Sequence, residues 1–564
     1  MIFIDFEVFR LNWLCVAYDT SNQQKHIIVD DIESLRALYE SNKDNIFVGY
    51  NIRGYDAPMM KCILQGHDPY KLSQHIISGQ KWWEFNSSLH RVPLNIYDCS
   101  VFTKSLKELE GNLGLSIKES TVSFDLEREL TAEEIEEVVD YCVWDVESTI
   151  EVFLQNKKEF DSQMALLKTF NLPLKFIGKT KAQLSAIILG AEMKEHNDEF
   201  DYFHRLPDTI ILKKPEYQDV YLWYQHNQDY ETKLDVEVSG IQHTFGFGGL
   251  HAGKEKYCEE GIFLNLDVGS YYPALIIEYD YMSRNVKNKG KYKDIRDERL
   301  RLKAKKDPKQ EPYKIVLNSK YGCLKAQFNP LYDPLQANCI CVAGQLMLLD
   351  LIEKLEGYWE LLQSNTDGLM GKVQRMDDVE TIKNICAEWE KRNRMTLEFE
   401  IFKKVFQKDV NNYLVMKEDG SHKSKGAWVK KLSTLDYNQA IVNKAIVNYL
   451  TKGIDVRTTI INCDDLIEFQ GIEKITGKYA AIYHGDERLS ERCIRTFSSK
   501  DENDKGISKL HKETNTREKI SGSHDHVFID NGSMVGVKTP SKLDKSWYID
   551  LAINRIREFG LNYN

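Results

Sequence analysis

Apolar and polar residues alternate in Met1-Ile-Phe-Ile-Asp5-Phe-Glu7, which predicts an opening strand, and the apolar run Ile46-Phe-Val-Gly-Tyr50 predicts another. From Thr131 to Phe153 the period becomes helical, introduced by Thr-Ala-Glu-Glu, the pattern of a capped helix. Mixed strands and helices over the first 160 to 190 residues predict one α/β domain. Residues 190 to 250 carry little pattern and read as a connector. Beyond it, Gly261 to Asp267 predicts a strand ending on an acid, followed by a helix through Tyr272-Pro273. Residues 292 to 322 predict a helical hairpin, with a charged helix to about Lys306, a break at Asp307-Pro308 and a second helix from near Pro312. Glu360 to Val373 reads as two strands around a tight turn. The remainder mixes helices, one of them from Trp547 to Arg557, with a polar and poorly patterned stretch near 495 to 525.

The chain of 564 residues exceeds what one core supports, so an α/β and α+β multidomain fold is expected. No run of about 18 uncharged apolar residues stands out, which predicts no membrane contact and a cytoplasmic protein. The 11 cysteines show no paired spacing for zinc and read as buried small hydrophobes. The net charge of -11 disfavours a polyanion ligand until it is divided by position. Residues 1 to 160 hold 27 acids against 15 bases, which leaves the other 404 residues at +1. Residues 284 to 325 hold 15 bases against 5 acids, a density that reads as a footprint for phosphates, although a solvated helix has the same composition.

Two sets of carboxylates carry candidate chemistry. Asp5 and Glu7 fall on one face of a strand, Asp56 follows a second strand in Asn51-Ile-Arg-Gly-Tyr55-Asp56, and Tyr141 and Asp145 share a helical face at i, i+4. Asp267 and Asp367 form the second set, on either side of Lys314-Ile-Val-Leu-Asn318-Ser319-Lys-Tyr321-Gly322. Hard cations such as Mg²⁺ bind through one or two carboxylates plus phosphate oxygens, so two sets predict two phosphoryl-transfer sites. Any one of these acids alone reads as solvated surface.

In that order and setting, the first set resembles the three exonuclease motifs of the proofreading domain of family B DNA polymerases. The resemblance implies an RNase H-like 3′–5′ exonuclease whose four acids hold two metal ions, with Tyr141 orienting the attacking water and Asn51 and Tyr55 contacting a frayed single-stranded end. Asp267-Val268-Gly-Ser270-Tyr271-Tyr272-Pro273 resembles the family's first polymerase motif, and Lys314 to Gly322 matches its K-x3-N-S-x-Y-G motif without a mismatch. By that resemblance Asp267, Val268 and Asp367 hold two Mg²⁺ or Mn²⁺ ions, and the turn at Ser270 and Lys314 binds triphosphate. Tyr272 lies under the sugar, and Asn318, Tyr321 and Gly322 lie against the nascent base pair. Arg299 and Lys303, i, i+4 on the preceding helix, match a second triphosphate-binding pair.

Several elements depart from the family pattern. Ser364-Asn365-Thr366-Asp367-Gly368 has Asn365 where the family has an acid, which removes a negative charge and predicts retained synthesis with altered metal preference. Phe245-Gly-Phe-Gly248-Gly249 resembles the Y-x-G-G element with its aromatics displaced by one position. The stretch 403 to 431, with eight Lys against three acids, stands where the family has a primer-gripping K-x-Y strand, but Asn411 occupies the Lys place. Lys408 is the expected substitute, with Tyr413, Lys425 and Gly426 as further DNA contacts. Members of the family that start from a terminal protein carry insertions between these motifs, so by the resemblance the short intervals here, 50 residues from Asp267 to Asn318 and 48 from Asn318 to Asp367, argue against protein priming and against an encircling loop.

The domains expected are an exonuclease over 1–190, a connector and first palm segment over 191–283, fingers over 284–324, a second palm segment over 325–440 and a thumb over 441–564. The expected activity is primer extension with dNTPs plus proofreading by a compact, bacteriophage-type enzyme. It would act as a monomer in host bacterial cytoplasm, on primer-template DNA, with replication accessory proteins as further partners. The alternatives are a nuclease whose polymerase lobe has degenerated into a DNA-binding platform, and a non-catalytic primer-template binder.

Overall fold

In the computed structural model, which describes residues 1–101 and 103–563, the chain divides into two compact units. The first comprises residues 1–178, 432–441 and 460–548, and the second 179–431, 442–459 and 549–564.

The first unit is built on a five-stranded mixed sheet in the order Gln24–Val29, Trp13–Asp19, Ile2–Val8, Ile46–Gly49, Asn95–Asp98. Ile2–Val8 pairs antiparallel with Trp13–Asp19 and parallel with Ile46–Gly49, so the strand carrying Asp5 and Glu7 is central. The helix Ala132–Gln155 packs on it and starts from a capping box in which Thr131 and Glu134 satisfy each other's backbone N–H.

Residues 460–548 belong to this first unit, whereas the sequence predicted one terminal lobe over 441–564 (its last residue, Asn564, lies outside the described residues). The stretch near 495 to 525, unpatterned in sequence, forms strands in two small sheets, Gly471–Lys474, Cys493–Ser498 and Val527–Ile529 in one, and Tyr479–His484, Glu487–Arg488, Ile507–His511 and Arg517–Lys519 in the other. The physical reason is a set of polar anchors. Arg495, fully buried, donates to the Gln470 side chain at 2.9 Å and to the carbonyls of Leu115 and Gly111 at 2.6 and 3.2 Å, and Glu119 accepts the N–H groups of Arg492 and Cys493. Burial pulls Arg495 down to about 10, and each carbonyl it meets offsets part of that cost.

The second unit contains a seven-stranded antiparallel sheet in the order His422–Lys425, Asn412–Met416, Leu397–Asp409, Tyr257–Val268, Gly368–Val373, Glu360–Asn365, Ala252–Gly253. The predicted hairpin is present as Gly290–Ala304 and Gln310–Asn318, tied by Tyr292, whose hydroxyl donates to the Leu317 carbonyl at 2.9 Å. One helix, Pro334–Leu355, is long and apolar enough to cross a membrane by length and composition, and its apolar window is wholly buried in the protein. It escaped the sequence reading because a helix covered on all sides shows no amphipathic period.

Candidate active sites

In the first unit, three of the predicted acids converge. One carboxylate oxygen each from Asp5, Glu7 and Asp145 lies within 4.8 Å of the others. Asp56 opens the helix Asp56–Leu64 and is fixed by the Phe6 N–H, donated to its Oδ1 at 3.1 Å between the two strand acids. Burial and mutual repulsion raise three of them: Asp5 and Glu7 are pushed well above the carboxylate range and Asp56 to about 7. Burial also raises Asp145, partly offset by Lys107 and by the Tyr141 hydroxyl. Crowded carboxylates that resist ionising together are what a divalent cation relieves, so the donor set fits hard metal ions.

Lys107 was missed in the sequence. Its ammonium donates to Asp145 Oδ1 at 2.5 Å and to Glu110 Oε1 at 3.1 Å, and stands 4.6 Å from the centre of the Tyr141 ring. Glu110 is 0% exposed and pushed up to about 7 by burial, while the paired carboxylates hold Lys107 above its usual value in spite of its burial. Only the Lys107–Glu110 spacing of i, i+3 was available as a signal. Asn51 adopts the left-handed region at φ 59°, held by its N–H donated to Asp98, and Tyr55 hydrogen-bonds Ser73 at 2.8 Å within reach of the charges on Glu7, Asp56 and Asp5.

In the second unit, Asp267 ends the strand Tyr257–Val268 and Asp367 occupies the turn beside it, with Gly368 paired opposite Asp267. The Val268 N–H donates to the Asp367 carbonyl at 2.7 Å, which locks the two acid-bearing segments together. Gly368 has to be glycine, because a Cβ there would stand 2.3 Å from Asp267 Oδ1. Burial and the charge of Asp367 raise Asp267, partly offset by Asn265, whose Nδ2 donates to it at 2.7 Å. Both acids line a cavity of about 350 Å³ with Asn365, Thr366, His251, Glu400, Tyr413, Lys423 and Lys425. Asn265 stands two residues before Asp267 on the same strand face, a signal the sequence did offer.

Of the aromatic residues predicted for this site, Tyr272 stands within reach of the Asp367 charge. The Tyr272 and Tyr321 rings lie 4.5 Å apart, and the Lys325 ammonium is 5.1 Å from the Tyr321 ring centre. Lys314 and Asn318 stand on the same helix with Lys314 paired to Glu311 at 3.7 Å, and Gly322 is exposed one turn on. Arg299 is 8% exposed and donates to Ser270 Oγ at 2.9 Å, while its Nε has no partner. A buried guanidinium with spare donors and no carboxylate bound to it is a receptor for an anion. Lys303, by contrast, is exposed and reaches Glu398 at 3.4 Å.

Gly248 and Gly249 come against this site. The Gly248 carbonyl accepts from Cys341 and Gln345, and a Cβ on Gly249 would stand 2.4 Å from Thr366 Oγ1, next to Asp367. Lys408, expected as a DNA contact, has acidic partners of its own. It pairs with Asp409 at 3.2 Å and Glu558 at 3.8 Å, over the ring of Trp428, and is not among the cavity residues. Lys425, paired across the strands with Tyr413 and followed by Gly426, and Lys423 supply the cavity's positive charge instead.

No family model matches the chain. Over 290 residues it is 24% identical to DNA polymerase 1 of Sulfurisphaera ohwakuensis, a match covering 43% of this chain and 32% of that protein. Over 201 residues it is 24% identical to DNA polymerase 1 of Saccharolobus solfataricus, covering 34% of this chain and 21% of that one. These relatives are DNA polymerases. The chain therefore matches a third or less of the relatives' own length. Among solved structures it is similar to the family B DNA polymerase from the hyperthermophilic archaeon Pyrobaculum calidifontis, with a TM-score of 0.43 and 14% identity, over 100% of this chain and 78% of that one.

Proposed function

We propose that this chain is a template-directed DNA polymerase of the family B kind, extending a primer 3′-hydroxyl with deoxynucleoside triphosphates, and that its first unit is a 3′ to 5′ exonuclease that removes misplaced ends. The observation that carries the synthetic reading is Arg299, a buried cation with an unpartnered Nε, held on Ser270 three residues beyond Asp267. Acids for cations and, through Ser270, a cation for phosphate then belong to one strand and the turn that follows it, which suits a metal-bound triphosphate. The exonuclease reading is supported by the Asp5, Glu7 and Asp145 cluster with Asp56 alongside.

In this reading two Mg²⁺ or Mn²⁺ ions sit in each site, on Asp267, Asp367 and Val268 in one and on Asp5, Glu7, Asp56 and Asp145 in the other. Bound there, such ions offset phosphate charge and favour the deprotonated form of a hydroxyl or water. Lys314, Arg299 and Lys303 attract and orient the triphosphate, and the Tyr272 ring under the sugar excludes a 2′-hydroxyl. In the other site Tyr141 orients the attacking water and Lys107 keeps Asp145 ionised. The seven-stranded sheet would serve as the palm and the helical hairpin as the fingers, in a compact phage-type replicative enzyme working in the host cytoplasm.

A labelled primer on a longer template, incubated with Mg²⁺ or Mn²⁺ and with or without deoxynucleotides, tests this. Extension with deoxynucleotides and shortening without them is expected. Shortening alone would favour the nuclease with a degenerate lobe, and failure to extend in either metal would overturn the synthetic reading.

A further inference from the structure

Phe328 is 93% exposed, more than any other large apolar side chain among the described residues. Burying a phenyl ring is worth about 1.5–3 kcal/mol, so a ring this exposed on a fixed turn gains from any partner that covers it.

The turn that carries the ring is held firmly from below. Asn329, 6% exposed, accepts the Leu331 N–H on its Oδ1 at 2.9 Å, and its own N–H donates to the Ala326 carbonyl at 2.8 Å. Asn285 Nδ2 donates to the carbonyls of Pro330 and Tyr332 at 2.9 Å each, and the Asp333 N–H returns to Leu324 at 3.0 Å. Leu331 is fully buried. The backbone is thus anchored on both sides of a side chain left almost wholly in solvent.

What surrounds the ring selects its partner. Lys325, Ala326 and Gln327 precede it and are all exposed, so the chain on its N-terminal side offers a cation and polar groups rather than further large apolar side chains. The turn directly follows the basic segment 284–325 and the helix bearing Tyr321. An isolated aromatic on a cationic surface matches an unpaired nucleobase, whose π-face stacks on it while the backbone phosphates meet the lysines.

We propose that Phe328 is a stacking platform for an unpaired template base next to the nascent base pair. This rests on the polymerase reading above. The test is binding of the full chain, in EDTA so that no strand is cut or extended, to a primer-template with a 5′ template overhang and to the same duplex made blunt. Stacking of one base is worth about 1–3 kcal/mol, so Phe328→Ala should weaken overhang binding about 5- to 150-fold, leave blunt-duplex binding within about twofold, and leave the thermal midpoint unchanged. Phe328→Trp should keep overhang affinity, and its added fluorescence should be quenched by the overhang substrate alone.

Unchanged overhang affinity in Phe328→Ala, or an equal loss on both substrates, overturns the proposal, the first outcome pointing to a protein partner for the ring. The two readings fail separately. A wild-type chain that extends primers while Phe328→Ala binds normally removes only the platform, whereas a wild-type chain that neither prefers primer-template nor extends it removes the polymerase reading.

Discussion

The two carboxylate sites solve the same electrostatic problem in different ways. In the first unit the acids come from strands, a helix start and a long helix, are largely buried, and face one cation, Lys107. In the second unit Asp267 and Asp367 sit exposed on adjoining segments of one sheet, beside Lys423 and Lys425. Burial makes the first cluster dependent on counter-ions for ionisation, while in the second, where burial and Asp367 raise Asp267, solvent and flexible lysines stand close by. The acidic balance of residues 1–160 and the basic segment 284–325 follow the same division.

Separating the sites is the strongest challenge to that comparison. Asp367→Ala should lower primer extension by more than about 100-fold and leave shortening intact, and Asp145→Ala should do the reverse. Gel assays of both variants with and without deoxynucleotides measure this. If either variant loses both activities while folded, the sites do not act independently.

Lys107 sharpens the comparison, since it is ion-paired directly to an acid of its own cluster, whereas the buried Arg299 of the second unit is held on the Ser270 hydroxyl. Lys107→Met leaves Asp145 and Glu110 buried without a counter-charge, and should slow shortening by about 10- to 100-fold with extension unaffected. Equal rates in the variant and the parent would show that Asp145 ionises without its help.

The acid most easily followed by pH is Asp56, whose value is pushed to about 7 when folded against an ordinary 3.8. The folded chain therefore holds a proton that the unfolded chain has released between those values, and this group's contribution to stability falls as pH rises from about 4 to about 7. In EDTA, Asp56→Asn should melt higher than the parent at pH 8, and the difference should shrink towards pH 5. Mg²⁺ should raise the parent's melting temperature at pH 8 more than the variant's. A difference that does not vary with pH would place the effect in packing rather than charge.

How far these features were legible depends on the distance over which they are specified. Asp5 and Glu7, Tyr141 and Asp145, and the hairpin at Asp307-Pro308 are set by local periods, and the structure has them on the elements the periods predict. Lys107 meets an acid 38 residues away and Arg299 a hydroxyl 29 residues away, contacts that no local pattern encodes. Lys408 and Lys425 were equivalent as sequence, and only the strand pairing and the packing of Trp428 and Glu558 distinguish them. The strands of 471–529 escaped because their anchor is Arg495, a charged residue in a fully buried strand, where patterning expects apolar ones.

Asn365 gives the smallest and finest test. Its Oδ1 is buried and has no partner among the described residues, two residues before Asp367 and in the same cavity wall as Asp267. An amide oxygen offers a weak ligand without charge, so Asp267 and Asp367 meet at the turn of the exposed site with Glu400 on the cavity wall, where the buried site brings four acids together. Asn365→Asp adds a carboxylate at nearly constant volume. With a cation present the added charge strengthens the ligand set, and without one it adds to the repulsion that already raises Asp267. The cation concentration for half-maximal extension should therefore fall by about 2- to 5-fold, more for Mg²⁺ than for Mn²⁺, with shortening by the first unit unchanged. Cation titrations of extension in both metals measure the shift. An unchanged midpoint would mean that position 365 faces away from the ions, and that the two acids of this site suffice because solvent and lysines, rather than further carboxylates, set its charge.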